Sequence, residues 1–460
     1  AVTIKRSRGR SRQVSTVGRV QTPTLSFVIK REIEIRNFIP RAFYKITASF
    51  ELSEGKYGGV YQRPDFKKNE DDKHDRIDRL WDKEEAERIF EQVKQSASAD
   101  VTETKKRSPQ SPGRLYDLTT LQKEANRLHH LPASRTLQIA QALYERPKAV
   151  TYPRTDSKAL PEDYGATCKE MLGTISGELS PHAQLVLSSD WVDEKNKRIF
   201  NNKQISDHFA IIPTNTPPRG LDDYELKIYN LIVKRFISVF YPPAQWDVTV
   251  RTSALGEHAF KTEGRVLVEP SWLAIYGKDN QPEDSLPPLS PDDQDKASFV
   301  DAELESDMTK PPPRYSEATL LSAMESAGKL VDDEEMAEAL KEKGLGTPAT
   351  RASTIEHLLK EKYMRREGTQ LHPTLKAEDL FQFLDAAGTD VLTSPSLTGE
   401  WEHKLRKIEE REMTRDQFME EISKMTVEFV EKTTNFKESK ANFIDTPLRS
   451  PVNDEPLYEG

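Results

Sequence analysis

The 460 residues contain one cysteine, Cys168. That leaves no intrachain disulfide and no set of thiolates for a zinc site, and the residue reads as a packed thiol. No run approaches the roughly 18 to 20 apolar residues of a membrane span, and the opening AVTIKRSRGR has no apolar signal core. A cytoplasmic address is expected. Apolar residues are scarce, 35% hydrophobic against 31% charged, which at this length suggests about three domains in an open, well-solvated molecule. A G-x-x-x-x-G-K-[ST] loop is missing as well, which excludes a P-loop nucleoside triphosphatase. The chain also lacks an excess of positive charge. Its net charge of −9 argues by itself against a polyanionic partner, because phosphate binding is driven by Lys and Arg displacing counterions. The charge is uneven, however: Lys5, Arg6, Arg8, Arg10, Arg12 and Arg19 all precede the first acidic residue, Glu32, while acids crowd 69–78, 292–305 and 331–337. The basic start is either a nucleic-acid patch or a disordered arm, and charge alone does not choose.

Periodicity divides the chain. Thr22-Pro23 fits a cap and first position for a helix over about 23–37, with Leu25, Val28 and Ile29 on its inner face. Alternation of Tyr44, Ile46, Ala48, Phe50 and Leu52 then predicts a strand ending in a Glu54-Gly55 turn. Residues 64–80 read as an exposed loop and 81–97 as an amphipathic helix. Next comes a helical block: Leu118, Leu121, Ala125 and Leu128 share a face, His129-His130-Leu131-Pro132 breaks it, Ser134 can cap a second helix, and 223–240 forms another. Alternation returns in Trp246, Val248 and Val250 and continues into Val266 and Val268. A helical domain inserted into a β domain, leaving the sheet near 110 and rejoining near 240, is the economical arrangement. After a Pro/Asp/Ser-rich stretch at 278–313 that reads as a long loop or linker, helices at about 316–328, 332–343 and 348–362 and a hairpin around Glu367-Gly368-Thr369 give a winged-helix-like set. A last helix near 400–436 precedes a weakly patterned tail, 437–460.

The sharpest local feature is Val150-Thr151-Tyr152-Pro153-Arg154-Thr155-Asp156-Ser157. A short β-like run delivers a tyrosine to a turn, with an arginine two residues on. A phenol, with a pKa near 10, is a poor nucleophile until a cation stabilises its anion or the phosphate it attacks, and Arg154 is placed for the latter. On these two residues alone, a tyrosine that merely packs at a strand end is the simpler reading.

The weighting changes once the motifs are read in order. Gly18-Arg19-Val20-Gln21-Thr22-Pro23, Arg114-Leu115-Tyr116-Asp117-Leu118, the YPRTDS run, Asp207-His208-Phe209-Ala210, Pro313-Arg314-Tyr315-Ser316-Glu317-Ala318, Gly344-Leu345-Gly346-Thr347-Pro348-Ala349-Thr350-Arg351 and Leu397-Thr398-Gly399-Glu400-Trp401-Glu402 succeed one another. The series resembles the type IA DNA topoisomerases over about 1–436, and the proline of YPRTDS resembles topoisomerase III. The resemblance implies a multidomain α+β toroid. Residues 1–40 and 307–436 would form a helical, winged-helix-like base with the DNA groove. Residues 41–111 and 237–306 would form a β-rich hinge, and 112–236 an inserted gate. The implied activity cuts one DNA strand through a 5′-phosphotyrosine, passes another strand and reseals without ATP, on single-stranded and negatively supercoiled DNA, as a nucleoid-associated monomer. Tyr152 matches the nucleophile, Arg154 the arginine that steadies the scissile phosphate, and His208 the histidine beside it, either acting directly or as a hydrogen-bonded loop residue. DNA contacts would fall on Arg19, Gln21, Thr22, Thr155, Asp156, Ser157, Arg314, Thr350 and Arg351. Arg19 and Gln21 also suit a bracing role at the following helix. The glycine-rich turn before Thr350 and Arg351 opens a helix, where free N–H groups can meet a phosphate.

The family's TOPRIM domain supplies a glutamate and an Asp-x-Asp-x-Glu cluster that holds Mg²⁺. No Asp-x-Asp-x-Glu occurs here, so this chain is expected to bind no metal itself, to be feeble alone, and to work with a TOPRIM domain in trans. The tail resembles the start of a zinc ribbon with Ser450 and Asn453 where cysteines belong, so zinc is not expected. A non-catalytic single-stranded-DNA-binding protein that retains the ring fold is the rival reading. A tyrosine recombinase is more distant, because its tyrosine sits near the C-terminus.

Overall fold

The computed structural model describes residues 16–278, 285–330, 338, 340 and 344–436. Lys5 to Arg12, the acidic run at 331–337 and the tail with Ser450 and Asn453 lie outside the described residues. Of the helix expected at 332–343, only Glu338 and Leu340 are described, both helical.

The first helix, α1 (Gln21–Arg36), buries Leu25, Val28 and Ile29 as their spacing predicts. Thr22 is not its cap. The helix already begins at Gln21, and Thr22 Oγ1 accepts from Gly18 N at 2.9 Å, folding the GRVQ turn back onto the first turn. Pro23 still fits, because first-turn nitrogens have no acceptor within the helix.

Strands β1 (Ala42–Leu52) and β2 (Gly55–Gln62), helix α2 (Lys83–Lys94) and strand β3 (Ser98–Gln110) follow. After the insertion come β4 (Ala244–Leu255), β5 (His258–Glu269) and β6 (Lys296–Met308), the last falling within the stretch expected as a loop, where backbone pairing to β1 and β3 holds a strand of mostly exposed residues. The six strands close an antiparallel barrel in the order β1-β2-β5-β4-β3-β6. Ile46, Ala48, Phe50 and Leu52 fill it, as alternation predicts, and α2 adds Ala86, Ile89 and Val93 to the same core. β4 differs from expectation. Trp246, Val248 and Val250 are only half-buried, and the interior takes the opposite parity, Arg251, Ser253 and Leu255. Arg251 is tolerated there because its Nη2 meets Glu103 of β3 at 2.6 Å and its guanidinium lies 4.4 Å over the Tyr57 ring. Attraction to a well-placed carboxylate offsets the cost of taking the guanidinium out of water, a cost that would stand in full without that partner.

β3 and β4 pair from Asp100↔Ala254 out to Gln110↔Ala244, and the inserted domain hangs from that last pair. It contains α3 (Leu118–His129), α4 (Ala133–Glu145), α5 (Gly165–Thr174), α6 (Ser180–Ser188) and α7 (Asp223–Ser238). Cys168 is buried here, its thiol pushed up to about 12 by burial and the nearby Glu194. Leu128 is 44% exposed, off the face that Leu118, Leu121 and Ala125 bury. Ser134 lies inside α4 rather than capping it, and its hydroxyl donates to Glu356 at 2.9 Å.

Helix α8 (Glu317–Glu325), α9 (Pro348–Lys360), the hairpin β7 (Met364–Glu367) and β8 (Gln370–Pro373), α10 (Leu375–Ala386), α11 (Ser396–Glu409) and α12 (Arg415–Asn435) complete the chain. Leu25, Val28 and Ile29 of α1 share one core with Leu320, Met324, Ile355, Leu371 and Phe383. The single helix expected near 400–436 is two, separated around Arg411, whose φ of 65° is left-handed. The inserted domain rests on this base: Ala133 joins the base core, and its N–H donates to Glu317 Oε2 at 2.8 Å.

Candidate active site

Val150 and Thr151 run beside 210–213. Val150 bridges Pro213, Thr151 N donates to Ile212 O at 3.0 Å, and Thr151 Oγ1 donates to Ala210 O at 2.9 Å. This pairing brings Tyr152 against His208, with ring centroids 4.4 Å apart and tilted by 51°. Tyr144 of α4 meets the other side of the Tyr152 ring edge-on at 5.4 Å. Arg154 is exposed, and its Nη2 donates to Gln141 Oε1 of α4 at 3.1 Å. Tyr152, Arg154 and His208 therefore share one edge of the inserted domain, with Tyr152 half-buried and the other two open to solvent.

Thr155 and Ser157 turn inward instead. Thr155 Oγ1 donates to His208 O at 2.8 Å and accepts from Ser157 N at 3.0 Å, while the Ser157 hydroxyl accepts from Ala159 N at 3.1 Å. Both are nearly fully buried. Their hydroxyls lock the loop and place His208; neither faces solvent where DNA would lie. Asp156 is exposed and accepts from Ser206 Oγ at 3.1 Å.

Beneath the loop lies a charged floor that the motifs alone do not reveal. Asp117 caps α3, accepting from Thr120 N at 2.7 Å, and meets Lys158 Nζ at 3.3 Å. Burial holds its carboxyl above the usual carboxylate range, with Lys158 pulling the other way. Glu325 of α8 lies 3.1 Å from Lys123 and 3.7 Å from Lys158. Burial pushes Glu325 up, but the two lysines outweigh it and leave the carboxyl below its usual range. Arg351, 3% exposed, donates to Thr119 Oγ1 at 2.9 Å. Burial lowers its pKa against the pull of Glu325, Asp117 and Asp156. Arg351 thus lies under the tyrosine loop, joining base to gate.

On the base, three motif segments converge. Gly344 and Gly346 have φ of 66° and 75°. A Cβ at 344 would stand 2.7 Å from Met324 O and 2.8 Å from Glu325 O, and one at 346 would stand 3.1 Å from Val20 Cγ1. Only glycine fits this turn, which seats the GLGTP loop on the end of α8 and against the GRVQ segment. Thr350 is exposed at the start of α9, its hydroxyl accepting from Thr347 N at 3.0 Å. Arg19 Nη1 pairs with Glu402 at 2.7 Å, its guanidinium lies 5.8 Å from the Trp401 ring, and its carbonyl accepts from the Thr398 hydroxyl. Gln21 is half-buried at the start of α1, and Thr22 is buried. Arg314 sits apart from this group, forking Glu32 at 2.7 and 3.0 Å. Glu32 lies about 16 Å along α1 from Gln21, at 1.5 Å per residue.

Among the described residues no helix is long and apolar enough to cross a membrane. A family model described as DNA topoisomerase matches residues 1–420. The chain is 36% identical over 420 residues to the DNA topoisomerase 3 of Shouchella clausii, covering 88% of this chain and 54% of that protein. It is 34% identical over 458 residues to the DNA topoisomerase 3 of Bacillus cereus, covering 96% and 60%. It is 32% identical over 438 residues to that of Pasteurella multocida, covering 91% and 66%. The chain thus spans between about half and two thirds of the length of these curated relatives. Full-length topoisomerase I from Thermotoga maritima superposes with a TM-score of 0.63 at 24% identity, covering 91% of this chain and 62% of that one, a likeness of fold. On the match over residues 1–420, the chain belongs to the type IA family of DNA topoisomerases.

Proposed function

We propose that this chain is the DNA-holding and strand-cutting part of a topoisomerase III-like enzyme, with Tyr152 as its nucleophile. The observation that carries the reading is the cluster of Tyr152, His208 and Arg154 on the edge of a domain hung from one strand pair. In this mechanism Tyr152 Oη attacks the phosphorus of a backbone phosphodiester. The new O–P bond joins the tyrosine to the 5′ side, the P–O3′ bond breaks, the phenol loses its proton and O3′ gains one. A diester replaces a diester, so resealing by the reverse step needs no ATP. Arg154 opposes the charge gathering on the phosphate oxygens. His208, its backbone held by Thr155, presents its ring to the same phosphate and orients it without necessarily moving a proton. The inserted domain swings on its β3–β4 root to admit a second strand.

Mg²⁺ bound to TOPRIM acids would assist cleavage and resealing by neutralising phosphate charge. Among the described residues no group of His, Cys, Asp or Glu could hold a metal, so no step above is routed through it. The reading assigns the metal to a TOPRIM domain acting with this chain, and strong relaxation or decatenation to the combination. A single-stranded-DNA-binding protein without cleavage is the second reading.

Covalent trapping separates the two. The chain is mixed with a labelled single-stranded oligonucleotide and Mg²⁺, quenched with detergent, and the protein band inspected, with and without an added TOPRIM domain. A label that depends on Tyr152 and grows with TOPRIM supports the proposal. DNA binding with no label under either condition overturns it in favour of the binding protein.

A further inference from the structure

Where the chain leaves β3 for the inserted domain and returns to β4, a cavity of about 150 Å³ opens between Gly113, Arg114, Asn196, Arg198, Tyr241 and Pro243. Its walls come from the outgoing chain, the returning chain and the 196–199 loop, so it sits in the root on which the domain turns. Two arginines line it. Among the described residues neither Arg114 nor Arg198 forms an ion pair with a carboxylate. Arg114 Nη2 donates to the neutral Gln204 side chain, and Arg198 Nη2 donates to Pro112 O at 2.9 Å. Arg114 Nε is buried without a hydrogen-bond acceptor. Burial and the adjacent charge of Arg198 both depress the Arg114 guanidinium, which Asp117 only partly offsets. The neighbouring Arg235 shows the contrast: it meets Glu124 at 2.6 Å and donates to Arg114 O at 2.8 Å.

Two like charges, one partly desolvated, face a common space with only neutral partners. A tetrahedral oxyanion in the cavity would accept from both guanidinium forks, the planar, multiple-donor geometry in which arginine binds phosphate. At about 150 Å³ the cavity admits a phosphate group. We propose that this hinge pocket binds a phosphate group and, by tying the outgoing and returning chain together, stiffens the root of the gate. The phosphate has two possible sources, free phosphate in solution or the backbone of a DNA strand crossing the hinge.

The test uses the whole chain and two variants, Arg198→Gln, at an exposed position, and Arg114→Gln. Thermal unfolding is compared in sodium phosphate and sodium chloride at equal ionic strength. The general exclusion effect of phosphate acts on native and variant alike, so only the difference between them counts. An extra rise of about 2 °C or more in the native chain, lost in Arg198→Gln, is expected. In parallel, binding of a fluorescent oligothymidylate is followed against salt. If DNA supplies the phosphate, the log–log slope falls by about 0.7 in Arg198→Gln; if free phosphate does, the slope is unchanged while the thermal difference remains. An identical phosphate gain in native protein and both variants, with unchanged slopes, overturns the proposal.

Discussion

The edge of the inserted domain and the face of the base use their charged groups in opposite ways. On the edge, Arg154 donates to the neutral Gln141 side chain and forms no ion pair among the described residues, and His208 is open to solvent. On the base, Arg19 is paired with Glu402 and Arg314 forks Glu32. A cation held by a neutral partner exchanges it for a phosphate at little cost, whereas one held by a carboxylate must give up an ion pair first. The edge is therefore ready to act on a phosphate, and the base is organised to keep its own segments together.

Tyr152→Phe breaks the comparison most severely. It removes the oxygen proposed to attack the phosphate, so the covalent adduct should vanish in the trapping assay, while oligonucleotide affinity by fluorescence anisotropy stays within about fivefold, since one hydroxyl is worth about 1 kcal/mol in such contacts. A large loss of affinity would remove Tyr152 from the nucleophile role. Next in size, Arg154→Ala should lower the adduct-forming rate by about 10²–10³-fold, the usual effect of deleting one charge-stabilising donor. Arg314→Ala should instead leave Glu32 with only the longer contact to Arg36, at 3.5 Å, and cost about 1 kcal/mol of stability, discounted for the partial exposure of the pair. If Arg314→Ala proves the worse of the two for cleavage, the division between edge and base fails.

Gly344→Ala sharpens the base side. A methyl 2.7 Å from Met324 O, on a residue with φ of 66°, should destabilise by about 2 kcal/mol or more in thermal unfolding. It should displace Arg351 beneath the tyrosine loop and slow cleavage without touching DNA. The smallest effect concerns acid. Glu325, raised by burial but lowered further by Lys158 and Lys123, has a folded pKa below its unfolded one. Its stabilisation is therefore full above about pH 4.5 and lost as pH falls through the lower folded value. Glu325→Gln should flatten that part of the stability curve, measured by unfolding between pH 5 and 3. An unchanged acid limb would mean that the lysine–glutamate floor does not hold gate to base.

Much of this division was legible in the residues, and its gaps have physical causes. β1 announced itself because one of its faces is buried along its length. β3 did not: only Ala99 and Val101 of its thirteen residues are buried hydrophobics, and the rest is a charged ribbon held by backbone pairing to β4. The inward face of β4 was misjudged because the barrel interior contains Arg251, and a polar residue inside inverts the alternation that hydropathy reads. Tyr152, Arg154 and His208 were found as members of ordered motifs, and the fold brings them together. Thr155 and Ser157, from the same run, carry small hydroxyls that suit a DNA contact or an internal hydrogen bond equally well in sequence, and here both are buried and bonded within the loop. Tyr144, Lys158 and Glu325 gave no local signal, because each acquires its meaning from a neighbour distant in sequence.

The pairing of Gln110 with Ala244 has one more consequence. Opposed residues of an antiparallel pair lie about 5 Å apart, so the ends of segment 111–243 are close enough to be spanned by a tight turn. The segment is in effect a cassette. A gene with it deleted and the ribbon closed by an Asn-Gly turn should encode a folded barrel and base, and the excised piece keeps one core wholly its own, the second being completed by Ile275 from outside the segment. Modularity of that kind is what an insertion origin would leave behind, and it allows one part of a machine to be replaced without rebuilding the rest.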